Sequence, residues 1–222
     1  MIKPLIVAVD ESRLESFKKI IDCLDSELCM VKIGSVSFNL IGYEAIAYTA
    51  SKGFGIFLDL KLHDIPNTVK KSIEGLISLP IDMMTIHTSG GIEMMKAAVK
   101  AAEGTNIKIF GVTILTSLSE LDSQIIFNRN LQNQINAMLD LSEEAGIDGV
   151  VCSPHELEFV VKRKSLQSIT PGIRITKSTD DQTRVMTPDQ AIKKGSDFLV
   201  IGRPITAASN IKATLEEISK LI

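Results

Sequence analysis

Neither sign of charge predominates in this sequence. Its 24 Lys and Arg stand against 27 Asp and Glu, a formal net charge of -3 over 222 residues, so nothing draws it in general toward nucleic acid or an anionic membrane surface. No apolar run is long enough to span a bilayer. Cysteine is scarce: Cys23, Cys29 and Cys152 are odd in number and lack the CxxC spacing of a metal site, which argues against a disulfide framework and for reduced thiols. His63, His87 and His155 have no partner at H-x-x-x-H spacing, so structural roles are expected for them and no metal site. The chain runs from Met1 to Pro4 directly into an apolar strand without a basic leader. The expectation is a cytoplasmic protein with a small-molecule partner, binding neither nucleic acid nor membrane.

What is present is a repeating pattern. Hydrophobic residues make up 45% of the chain, enough for a sizeable core. Short runs rich in Val and Ile alternate with amphipathic stretches, the signature of strand-helix units in a parallel sheet. Eight strands are predicted: Leu5 to Asp10, Met30 to Gly34, Gly55 to Leu62, Asp82 to Thr88, Lys108 to Leu115, Gly149 to Ser153, Ser168 to Arg174 and Asp197 to Gly202. Helices are expected at about 12–25, 37–52, 67–79, 91–103, 131–145, 155–163, 188–194 and 209–221. Ser12 with Glu15 resembles a capping box, and Gly53, Gly104, Gly146 and Gly195 stand where helices should stop. Eight such units predict a closed (β/α)8 TIM barrel forming a single domain over 1–222, with no low-complexity linker. The longest irregular stretches are Thr116 to Asn130 and Ile175 to Thr187, and the second, being polar, reads as a lid.

One stretch departs from this pattern. Phe57 to Val69 reads FLDLKLHDIPNTV, an apolar strand with Asp59 and Lys61 inside it. Side chains alternate along a strand, so Asp59 and Lys61 project to one side while Leu58, Leu60 and Leu62 pack on the other. Asp64 follows just before Ile65-Pro66 ends the strand. An Asp-x-Lys pair alone reads as a structural ion pair. Three charges in a strand without polar alternation favour function, because burying an ion costs several kcal/mol even when it is paired. A lysine among carboxylates suits a general acid and not a Schiff-base nucleophile, which requires a neutral amine.

Barrel sites form where strands end, and polar residues collect at those ends. Asp10 closes the first strand, Lys32 sits in the second, Asp59 and Lys61 in the third, and His87-Thr88-Ser89 end the fourth. Thr116-Ser117 follow the fifth strand, Pro171-Gly172-Ile173-Arg174 the seventh, and Gly202-Arg203-Pro204 the eighth. Glycine beside arginine offers close backbone N–H groups and guanidinium forks, so the expected ligand is a phosphate ester.

The run Asp59-Leu60-Lys61-Leu62-His63-Asp64-Ile65-Pro66-Asn67-Thr68 resembles the D-x-K-x-x-D-I-P-x-T signature of the orotidine 5'-phosphate decarboxylases. Val31-Lys32-Ile33-Gly34, Leu115-Thr116-Ser117, Thr170 to Arg174, Asp181-Gln182 and Ile201-Gly202-Arg203 match in order, so the resemblance covers essentially the whole chain. It implies that Lys61 donates a proton to C6 of the pyrimidine and that Asp59 lies beside the departing carboxylate. Lys32, Asp59, Lys61 and Asp64 would form an alternating charge network. Asp10 and Lys32 would hold the ribose hydroxyls, Thr116 would help to hold the pyrimidine or its nearby groups, Ile65 would be a further substrate-binding residue, and Arg174, Gln182, Gly202 and Arg203 would hold the phosphate. Asp64 and Thr68 would reach across a homodimer interface into the neighbouring site. No cofactor and no metal are implied.

Two rival readings differ in chemistry. A lyase resembling hexulose-phosphate synthase shares D-x-K-x-x-D but uses Mg²⁺, for which Lys32 would be a repelling neighbour. A non-catalytic sugar-phosphate binding module would have no need of Lys61.

Overall fold

The computed structural model describes residues 3–174 and 186–222. In chain order its elements are β1 (Leu5–Val9), α1 (Leu14–Ile21), β2 (Met30–Gly34), α2 (Ser35–Ile41), α3 (Tyr43–Ser51), β3 (Ile56–Leu62), α4 (Pro66–Glu74), β4 (Met83–His87), α5 (Ile92–Ala102) and β5 (Lys108–Val112). There follow α6 (Glu120–Phe127), α7 (Leu131–Ala145), β6 (Gly149–Val151), α8 (Leu157–Val160), β7 (Gln167–Thr170), α9 (Pro188–Lys193), β8 (Phe198–Ile201), α10 (Arg203–Thr206) and α11 (Ile211–Ser219). The strands close in sequence order into an eight-stranded parallel barrel, β8 pairing with β1. This is the (β/α)8 fold expected from the eight repeats.

Alternation along each strand builds two cores. Leu5, Val7, Val9, Val31, Ile33, Ile56 and Leu58 face outward and are covered by the helices. Ile6, Ala8, Met30, Phe57, Met83, Phe110, Ile169, Phe198 and Val200 fill the barrel. The filling is stepped to fit: a Cβ on Gly149 would clash with the Gln167 backbone carbonyl and lie 2.6 Å from the Phe110 ring, so this inward position is left bare both for the adjacent strand and for a neighbour's ring. Phe110 then meets Phe198 edge to face, with ring centroids 6.2 Å apart.

The rim formed by the strand N-termini carries a repeated device. Asp82, Asp148 and Asp197 each stand immediately before β4, β6 and β8. Their carboxylates accept from the backbone N–H of Ile56, Ile109 and Ser168, at 2.7, 2.8 and 2.7 Å. Each aspartate thus satisfies a donor at the start of the preceding strand that would otherwise be left without a partner.

Several boundaries differ from expectation. The helix expected at 37–52 is broken at Gly42, with φ +74°, into α2 and α3. The stretch Thr116 to Asn130 is not wholly irregular: Ser119 and Asp122 form a reciprocal capping box that starts α6. Its apolar Leu121, Ile125 and Ile126 are 68%, 72% and 57% exposed, so the segment lacks the one-sided pattern that marks a core-facing helix. The capping box expected at Ser12 and Glu15 does not form, because α1 starts one residue later with Arg13 as its N-cap and no side-chain cap. The fifth and seventh strands end earlier than expected, at Val112 and Thr170. Gly53, Gly104, Gly146 and Gly195 follow helices with φ between +72° and +92°, as the helix-stop reading required.

Candidate active site

A cavity of about 590 Å³ opens at the C-terminal ends of the strands. Phe57, Ala8, Val151 and Val200 line it from within the barrel, and Asp10, Lys32, Asp59, Lys61, Thr116, Arg174, Gly202 and Arg203 bring polar groups to it. Eight of the twelve residues expected at the site therefore share one concavity.

At its centre is a chain of charges. Asp59 is 7% exposed, and its Oδ2 lies 2.7 Å from the Lys61 Nζ and 3.4 Å from the Lys32 Nζ. Lys32 also reaches Asp10 Oδ1 at 3.3 Å. Gly34 makes this last approach feasible, since a Cβ there would sit 2.8 Å from the Lys32 Nζ and 2.9 Å from Asp10 Oδ1. Burial pushes the Asp59 carboxyl upward, but the Lys32 and Lys61 charges and the hydrogen bonds from Lys61 and Thr85 outweigh it, leaving Asp59 below the ordinary carboxylate value. Asp59 is thus a buried anion held against two cations, with the Lys61 side chain 35% exposed to the cavity.

Thr85 was not among the expected site residues. Its Oγ1 donates to Asp59 Oδ1 at 2.9 Å and accepts from the Lys61 backbone N–H at 2.9 Å. His87, also on β4, packs its ring 5.2 Å from that of His63. Burial holds its imidazole below the ordinary value of 6.5, the His63 and Lys61 charges add to this, and Asp59 opposes it.

Asp64, Ile65 and Thr68 are not brought into this cavity. All three are exposed in the single chain, Ile65 by 66%, and Asp64 Oδ1 accepts from the Ile65 backbone N–H at 2.7 Å. Among the described residues Lys61 pairs with Asp59 and not with Asp64. The fourfold charge network expected from the sequence is therefore threefold within one chain, because Asp64 lies beyond the end of β3 where the chain turns outward into α4. Gln182, and with it residues 175–185 of the loop read as a lid, lies outside the described residues. The segments flanking that loop are tied together: Arg174 donates its backbone N–H to the Met186 carbonyl at 3.0 Å, and Met186 donates to that of Gly172 at 3.2 Å.

Opposite the charged centre, Gly172, Arg174, Gly202 and Arg203 form the other side of the same cavity. Arg174 is 7% exposed. A ligand with an anionic group at one end and a reacting carbon at the other matches this division.

Comparison with known proteins agrees with the geometry. Residues 3–218 match the model of the Orotidine 5'-phosphate decarboxylase / HUMPS family. The chain is 42% identical to the orotidine 5'-phosphate decarboxylase of Saccharophagus degradans, over 97% of this chain and 93% of that one. It is also 42% identical to that of Mannheimia succiniciproducens, over 100% and 98%. Among solved structures, the orotidine 5'-phosphate decarboxylase from Lactobacillus acidophilus superposes with a TM-score of 0.86 at 35% identity, covering 99% of this chain and 98% of that one.

Proposed function

This chain belongs to the orotidine 5'-phosphate decarboxylase / HUMPS family, and we propose that residues 1–222 form one catalytic domain in which Lys61 is the proton donor. The activity is that of a carboxy-lyase of pyrimidine biosynthesis, converting orotidine 5'-phosphate to UMP and CO2. Breaking the bond between C6 and the carboxylate leaves its electron pair on C6, where no ring carbonyl delocalises it well. A proton from the Lys61 ammonium then occupies that position, and the neutral amine regains a proton from water.

The observation that carries this reading is the Lys61–Asp59–Lys32 chain at the floor of the cavity. A fixed ammonium meets negative charge as it develops on C6, in surroundings where such an interaction is strong. Asp59, beside the substrate carboxylate, favours its departure. Asp10 and Lys32 hold the ribose, Thr116 helps to hold the pyrimidine or its nearby groups, and Arg174, Gln182, Gly202 and Arg203 hold the phosphate. Binding energy gathered at the phosphate, remote from C6, serves to organise the charged centre. Lys32, directed at Asp59 and Asp10, would repel a divalent cation from the position that a metal-dependent sugar-phosphate lyase needs for its Mg²⁺. The test is CO2 release from orotidine 5'-phosphate in excess EDTA: full turnover is expected, and loss of turnover restored by Mg²⁺ would overturn the reading.

The outward position of Asp64, Ile65 and Thr68 supports a homodimer in which Asp64 and Thr68 complete the partner's site. Mixing an inactive Lys61→Ala chain with an inactive Asp64→Ala chain is then expected to restore activity, up to about one active site in four at equal mixing, since one class of mixed site carries both wild-type groups. No recovery at any ratio would remove the shared site. No helix among the described residues is long and apolar enough to cross a membrane. A cytoplasmic location completes the proposal, in keeping with the unpaired Cys23, Cys29 and Cys152.

A further inference from the structure

The register of β3 against β4 shifts at the charged centre. Leu58 pairs with Met84 and Leu62 with Ile86, so Asp59, Leu60 and Lys61 all stand opposite the single residue Thr85. Lys61 takes φ +52° in this bulge, a left-handed conformation that is costly for a non-glycine residue and persists only where its surroundings enforce it. The Lys61 backbone N–H donates to Thr85 Oγ1 in place of a carbonyl on β4.

The direction of the second bond follows from the first. A backbone N–H can only donate, so Thr85 Oγ1 is the acceptor there and its one hydrogen is directed to Asp59 Oδ1. This occupies Oδ1 and leaves Oδ2 to Lys61 and Lys32, which sets the plane of the carboxylate. Thr85 has 0% exposure and does not line the cavity. Its hydroxyl has no place for a substrate and two fixed partners, both belonging to the charged centre.

We propose that Thr85 is a positioning residue of this site, its hydroxyl clamping the left-handed Lys61 backbone to the Asp59 carboxylate so that the rate of proton delivery depends on it while nucleotide binding does not. The proposal rests on the reading of Lys61 as proton donor. Without the hydroxyl the Lys61 N–H is left without its partner, Asp59 keeps its ion pairs through Oδ2 but loses the bond at Oδ1 that sets the plane of its carboxylate, and the ammonium loses its aim. Displacements of about 1 Å in a reacting group cost on the order of 100-fold in rate.

The experiment compares wild type, Thr85→Val and Thr85→Ser, with kcat and KM for orotidine 5'-phosphate and the inhibition constant of UMP measured for each. Thr85→Val is expected to lower kcat by about 10- to 100-fold with KM and UMP affinity within about threefold. Thr85→Ser, which keeps the hydroxyl, is expected to stay within about threefold of wild type in all three. A Thr85→Val enzyme with unchanged kcat, a Thr85→Ser enzyme as slow as Thr85→Val, or UMP affinity falling as far as kcat would each overturn the proposal. Should Thr85→Val not fold, Thr85→Cys, with a similar volume and only a weak hydrogen bond, is judged by the same outcomes. Lys61→Ala in the same assay tests the underlying reading: a Lys61→Ala enzyme with wild-type kcat would remove Lys61 as the donor, whereas an inactive Lys61→Ala beside a Thr85→Val enzyme of wild-type kcat removes only the role of Thr85.

Discussion

The two rims of the barrel both carry aspartates, and they use them in opposite ways. At the strand N-termini Asp82, Asp148 and Asp197 each accept from a backbone N–H within the first two residues of the preceding strand. These carboxylates answer donors that the fold itself leaves open. At the other rim Asp59 answers two ammonium groups, Lys61 and Lys32, and a buried hydroxyl. Nothing in the backbone requires that cluster, and it includes a left-handed lysine. One rim satisfies the chain and the other holds it under constraint, which is the division expected where strain is retained for chemistry.

The widest separation between the two rims is expected from Lys61→Ala. Decarboxylation should fall by at least about 10³-fold, since on the proposed mechanism both the proton donor and the charge opposite the developing carbanion are removed. Thermal melting should change far less than kcat, because Lys32 still compensates the buried Asp59 carboxylate. A Lys61→Ala enzyme retaining more than a tenth of wild-type kcat would break the contrast. Asp148→Ala should do the converse. It leaves the N–H of Ile109, a residue 1% exposed, without its acceptor, at a cost of about 1–3 kcal/mol in denaturant unfolding. Its kcat should match wild type, and a large fall in kcat would show that the lower rim also tunes the site.

The smallest expected effect lies behind the charged centre. The folded protein holds the His87 imidazole below its ordinary value of 6.5, so the unfolded chain takes up a proton first as pH falls. The stability that neutral His87 confers is therefore fully present above 6.5 and is lost as pH drops through the lower folded value. His63, Lys61 and Asp59 are the charged groups that act on it. His87→Gln should flatten the decline of melting temperature on the acid side of 6.5 while leaving the neutral plateau in place. A slope identical to that of wild type would assign the acid sensitivity to other groups.

The upper rim was the more legible of the two in the sequence. Asp59 and Lys61 stand out because charge inside an apolar strand is costly, and Gly202-Arg203 stands out by its place after the last strand. Thr85 gives no such signal: threonine is ordinary in strands, and Met83 to His87 reads as any half-polar strand would. Asp82, Asp148 and Asp197 are equally silent, since an aspartate before a strand is common in turns. Helix α6 escaped because Leu121, Ile125 and Ile126 face away from the core, and periodicity arguments detect only what is turned inward.

Sequence alone determined the number of strand-helix units, and hence the closed barrel, because short apolar runs alternating with amphipathic stretches, repeated eight times, leave few other ways to bury both faces of the strands. It also determined which residues could carry charge into the mouth of that barrel. Only the tertiary structure decided how those charges meet. The slip between β3 and β4 places three residues opposite Thr85, brings the Lys61 ammonium to 2.7 Å from Asp59 and leaves Asp64 outside. Register is a relation between two strands, and a linear pattern of residue types does not contain it.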